Sequence, residues 1–130
     1  MPNTVVQTTL HGDATSRELT RLIHIISDGS EETNLVIYDN SAIIGNVAKG
    51  SLLSVKAHGL SPAGVCRLNW DQTTVFKAVS FNPMNGVDLC FEEFGGIKNP
   101  AGTGATGDLT LTTLGLAAGD EFFILITVRP

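Results

Sequence analysis

Short runs of Val, Ile, Leu, Phe and Thr recur along the chain, each ended by Gly, Asn, Asp or Pro. This pattern predicts strands at 4–10, 20–27, 33–39, 51–58, 64–71, 74–80, 87–92, 107–114 and 121–129. Turn chemistry fills the breaks: Asp28-Gly29, Pro62 with Gly64, Pro83 with Asn85-Gly86, and Gly119-Asp120. Helical spacing is scarce. Residues 13–22, capped by Asp13 or Ser16, and residues 38–50 could each hold a short turn. The expected fold is all-β: an antiparallel, jelly-roll-like β-sandwich of about eight or nine short strands with little or no helix. A single domain over 1–130 is expected, with 1–19 as an arm or peripheral strand.

Several strands alternate, which predicts one face on the core and one in water. Leu53, Val55 and Ala57 oppose Ser54, Lys56 and His58. Cys66, Leu68 and Trp70 oppose Arg67 and Asn69, and Leu109 and Leu111 oppose Asp108, Thr110 and Thr112. Three runs are apolar on both faces instead. The last strand puts Phe122, Ile124, Ile126 and Val128 on one side, but Phe123 and Leu125 on the other. Residues 20–27 set Ile23 and Ile25 against Leu22, His24 and Ile26, and residues 33–39 set Leu35 and Ile37 against Val36 and Tyr38. A two-layer sandwich has one interior, and each large apolar side chain left outside it forgoes about 1.5–3 kcal/mol of burial. Either a symmetric oligomer covers the second face, or segments 11–19 and 40–50 fold over it. The first reading makes Leu22, His24, Ile26, Phe123 and Leu125 candidate oligomer contacts.

The chain has 130 residues, of which 42% are apolar and 16% charged, with a formal net charge of −5. Charged residues make up about 25% of an ordinary soluble domain, so the low share again points to a covered surface. Eight scattered Lys and Arg residues in an acidic chain argue against nucleic-acid binding. No basic, apolar leader opens the sequence and no apolar run is long enough to span a bilayer, so neither a signal peptide nor a membrane segment is expected. Cys66 and Cys90 lack metal-type spacing and read as two buried thiols, although a disulfide between them stays open.

Gly102, Gly104 and Gly107 spell G-x-G-x-x-G, the spacing of a dinucleotide fingerprint. That motif needs a strand before it and a helix after it, whereas here a Pro- and Gly-rich loop precedes and a strand follows. The glycines therefore read as a tightly packed connection, and the loop carrying Gly95, Gly96, Ile97, Lys98, Gly102, Gly104 and Gly107 is a candidate contact surface. His11, His24 and His58 lack metal-ligand spacing. The adjacent carboxylates Glu31-Glu32 and Glu92-Glu93 read as solvated charges at strand ends, since neighbours on a strand point to opposite faces. No G-x-S-x-G elbow is present. No catalytic residue, cofactor or metal is expected.

The segments "TRLIHIISDGSEETNLVIYDNSAI", "CRLNWD", "FEEFGGIKNPAGTGATGDLTLTTLG" and "AGDEFFILITVRP" resemble a group of small β-rich proteins of tailed, often marine, bacteriophages. The likeness covers roughly residues 20–130. It implies a virion structural protein of the capsid cement or decoration type, with a jelly-roll-like sandwich. On that reading the protein is made in the host cytoplasm and ends on the outer capsid surface. Its implied partners are copies of itself, as a trimer, and the major capsid protein, with no nucleic acid and no membrane. A carbohydrate- or receptor-binding module of a tail or fibre is the alternative, and it requires exposed aromatic side chains.

Overall fold

The computed structural model describes residues 3–12, 18–39 and 50–129. Ten strands form: β1 (Thr4–His11), β2 (Leu19–Ile26), β3 (Leu35–Tyr38), β4 (Ser51–Leu60), β5 (Val65–Trp70), β6 (Phe76–Phe81), β7 (Val87–Cys90), β8 (Ile97–Lys98), β9 (Leu109–Leu114) and β10 (Glu121–Arg129). The larger sheet runs β1-β2-β10-β4-β7, with β8 also pairing β4, and the smaller runs β3-β9-β5-β6. Every pairing among the described residues is antiparallel. Without β1 and β8, the order β2-β10-β4-β7 opposite β3-β9-β5-β6 is that of an eight-stranded jelly roll. The molecule is thus an antiparallel β-sandwich, as the periodicity predicts.

The inner faces meet in one core. From the larger sheet come Ile23, Ile25, Val55 and the β10 residues Phe122, Ile124, Ile126 and Val128, all fully buried. From the smaller sheet come Ile37, Cys66, Leu68, Trp70, Leu109 and Leu111. Trp70, the last residue of β5, closes one end of the core between Leu109 and Phe76. Its indole Nε1–H donates to the Ile97 carbonyl at 3.1 Å, so burial leaves no polar atom of that ring unpaired. The Tyr38 ring stands edge-on to it, with centroids 6.5 Å apart.

Several expectations need correction. The Gly-rich loop contains a strand, β8, too short for a periodicity to reveal. Residues 91–92 leave the predicted seventh strand because Glu92–Phe94 forms a 3-10 turn, closed by Gly95 at φ 83°. Tyr38 does not alternate with Ile37: an irregularity between Val36 and Tyr38 turns both side chains inward. Asn69 and Thr110, expected in water, are buried opposite each other on the two central strands of the smaller sheet. The Thr110 hydroxyl there donates to the Asn69 carbonyl at 3.4 Å. Glu31 and Glu32 are not merely solvated. Glu31 accepts the Leu116 N–H at 3.1 Å, and Glu32 accepts an amide hydrogen of Asn3 at 3.1 Å. Both cysteines are free thiols, and only Cys66 is buried. Of the turns expected at 13–22 and 38–50, residues 19–22 instead belong to β2, while 13–17 and 40–49, with any cover they give the outer sheet face, lie outside the described residues.

Two outcomes follow. Gly59 faces Phe122 across the β4–β10 pair at φ 150°, and a Cβ there would collide with the Glu121 carbonyl oxygen and the Phe122 Cα. Gly59→Ala should cost at least about 1–3 kcal/mol of strain, measured by urea unfolding. Burial pushes Tyr38 from 10.0 up to about 12, with Asp108 and Asp39 adding to the shift. It pushes Cys66 from 9.0 up to about 12, with Glu31 adding. Both folded values lie above the unfolded ones, so the fold favours the neutral forms. That stability is full below about pH 9 and is lost as pH rises towards 12. Urea midpoints measured from pH 7 to 12 should be flat and then fall, and in Cys66→Ala the fall should start about one unit later.

Candidate functional site

The pairing register lays out the outer face of the larger sheet row by row. Thr4, Ile26, Glu121 and Leu60 form the first row, and Val6, His24, Phe123 and His58 the second. Thr8, Leu22, Leu125, Lys56 and Asp88 form the third, and Thr20, Thr127, Ser54 and Cys90 the fourth. All five residues expected at an oligomer contact (Leu22, His24, Ile26, Phe123 and Leu125) therefore share this face. They come together because β10 lies between β2 and β4, and a side-chain period of two sends alternate residues of all three strands outward.

Phe123 is the centre of the patch. The His24 ring stacks on it from β2, with centroids 4.3 Å apart and planes 6° from parallel. His58 stacks from β4 at 5.1 Å and 25°. The His24 Nε2 lies 3.4 Å from a Glu121 carboxylate oxygen. Leu22 and Leu125 pair in the next row and are half-buried by their neighbours. Ile26, Val6 and Leu60 remain exposed. Sequence reasoning left Val6, Leu60 and Cys90 off this surface. Val6 and Leu60 follow from the alternation of β1 and β4 once the strand order is known, which no single strand reveals.

The glycine loop divides into two parts. Gly95 closes the 3-10 turn, and Gly96, Ile97 and Lys98 run along β4. Gly96 is buried, and a Cβ there would lie 2.8 Å from the Leu52 carbonyl oxygen. The second part packs on the β5–β6 turn. The Gly102 N–H donates to the Gln72 side chain at 2.9 Å, and the Thr73 and Thr106 N–H groups bond the Thr103 and Asp71 carbonyls. Gly104 leaves no room for a side chain beside the Thr73 hydroxyl, and Gly107 is buried. These glycines allow one loop to lie against another. A strand, β9, follows them, so no helix N-terminus faces the motif. Lys98 and Gly104 are the exposed members of the predicted loop surface.

Among the described residues, no group of three or more His, Cys, Asp or Glu side chains could hold a metal ion. None of the described helices is long and apolar enough to cross a membrane. Trp70 and Tyr38 are both in the core, which removes the two aromatic side chains best suited to stacking on a sugar. Comparison with protein-family models and with curated proteins finds no match.

The two thiols give a direct check on the layout. A soluble aromatic disulfide reagent should titrate one thiol, Cys90, in the native protein and two in denaturant. Rapid labelling of Cys66 in the native state would contradict the burial described here.

Proposed function

We propose that the chain is a phage virion structural protein of the capsid cement type, which associates with copies of itself and binds the outer surface of the shell. The observation that carries this reading is the row Val6–His24–Phe123–His58 beside the pair Leu22–Leu125. These rows gather aromatic and aliphatic side chains on an outer sheet face, where Glu121, Lys56 and Asp88 are the charged members of the four rows. The motifs at 20–43 and 91–115 support the phage assignment, and the jelly-roll order is one that viral capsid domains share. Fold alone does not imply function, so the weight rests on the surface.

The action of such a protein is mechanical. The sandwich presents one outer sheet face, and burial of that face holds copies together, as a trimer in the group the sequence resembles. The loops at the ends of the sheets then contact the major capsid protein and resist outward pressure from the packed genome. Five strands spaced about 4.8 Å apart and four rows of side chains give a face on the order of 600 Å2. A stable interface buries about 800 Å2 per partner, so the sheet face needs further contacts at its margin. On this reading Lys98 and the exposed loop around Gly104 are the contacts with the shell.

Phe123→Asp puts a carboxylate in the middle of this face without touching the core. It should lower the mass measured by light scattering and abolish binding to capsids that lack the protein. Unchanged mass together with unchanged capsid binding would rule the reading out.

A further inference from the structure

The sandwich has four sheet edges, and three are blunted. β7 is four residues long, carries Asp88, and leads into Glu92 and Glu93. β3 is equally short, is irregular between Val36 and Tyr38, and has its Val36 carbonyl taken by the Gln7 side chain at 3.1 Å. β6 carries Lys77 and breaks register with β5 between Leu68 and Asn69. Charges, short length and bulges are the usual devices that stop an edge from recruiting another strand.

The fourth edge has none of these over most of its length. β1 spans eight residues, TVVQTTLH, and among the described residues it pairs only β2. Its register is regular from Thr4 to Thr9 and shifts only before His11. Residues 1–12 include no Asp, Glu, Lys or Arg, the longest such run in a chain of net charge −5. Val6 and Leu10 on this strand are 52% and 56% exposed. A long, uncharged, partly apolar edge invites strand addition.

We propose that β1 is a self-association edge: two copies pair their β1 strands antiparallel about a two-fold axis and join their larger sheets into one. The occupant is a second copy because this stretch lets two acidic chains approach without opposing carboxylates, and because its sequence suits its own reverse. With the axis at Val6, the outer face pairs Val6 with Val6 and Thr4 with Thr8, while the inner face pairs Val5 with Gln7. Such β-branched and Thr–Thr pairs stabilise antiparallel sheets. The contact is separate from the sheet face and does not rest on the cement reading. It would extend the row Val6–His24–Phe123–His58 across the axis into its twin.

The test uses the full chain. In a Cys90→Ser background, single cysteines replace Thr4, Val6 or Thr8, with Phe76→Cys, exposed on the smaller sheet, as the control. Under mild oxidation, alone and in pairwise mixtures, cross-links confined to one antiparallel register should form at least ten times faster than in the control. Val6 with Val6 and Thr4 with Thr8 is the expected set. No cross-link above the control, or equal linking of all three positions with themselves, overturns the proposal. In parallel, Phe123→Asp removes the face contact and should leave a dimer by sedimentation, which Val6→Lys with Thr8→Lys splits to monomers. Trp70 fluorescence verifies that these variants are folded. A Phe123→Asp protein that is already monomeric at high concentration overturns the edge and leaves the face standing. A wild-type dimer that ignores Phe123→Asp but yields to the lysines overturns the face and leaves the edge.

Discussion

Everything in this molecule depends on β10 being inserted between β2 and β4. Phe122, Ile124, Ile126 and Val128 are fully buried on its inner side. At about 1.5–3 kcal/mol each, these four side chains alone are comparable to the net stability of a whole domain. A slip of one residue would move all four to the outer face and bring Glu121, Phe123, Leu125 and Thr127 inward. The register is therefore held by burial on one side. The composition of the other side follows without any folding advantage of its own.

That asymmetry is the physical basis of the functional reading. The core needs only one apolar face from β2 and β10, yet both strands carry two. His24 and His58 cover the flanks of Phe123 with their own rings. The outer side of the smaller sheet is more mixed. It carries Arg67, Thr112 and the buried pair Asn69–Thr110 beside Val36, Val65 and Leu114.

Much of this was legible in the strand periodicity because burial enforces it. The nine predicted strands all form, and the two faces of β2 and β10 separate residue by residue as the alternation predicts, although which face of β10 is the contact was left open. What escaped has common causes. Tyr38 turned inward at an irregularity, and the two residues of β8 are too few to show a period. Asn69 and Thr110 are short side chains on central strands, buried on the face that alternation assigned to water. The grouping of Val6 and Leu60 with Phe123 needs the jelly-roll order, which is a property of the whole topology. Cys90 was misread because an apolar neighbourhood in sequence says nothing about which sheet edge a strand occupies. The G-x-G-x-x-G glycines are followed by a strand, β9, as their context predicts, and they lie where loops approach closely.

Covalent surface footprinting over a concentration series tests the central claim most directly. If copies cover the outer face of the larger sheet, labelling of Ile26, Phe123 and Leu125 should fall as protein concentration rises. Labelling of Phe76 and Phe94, exposed elsewhere on the molecule, should stay constant. Labelling of the sheet face that does not change from dilute to concentrated solution would contradict the account.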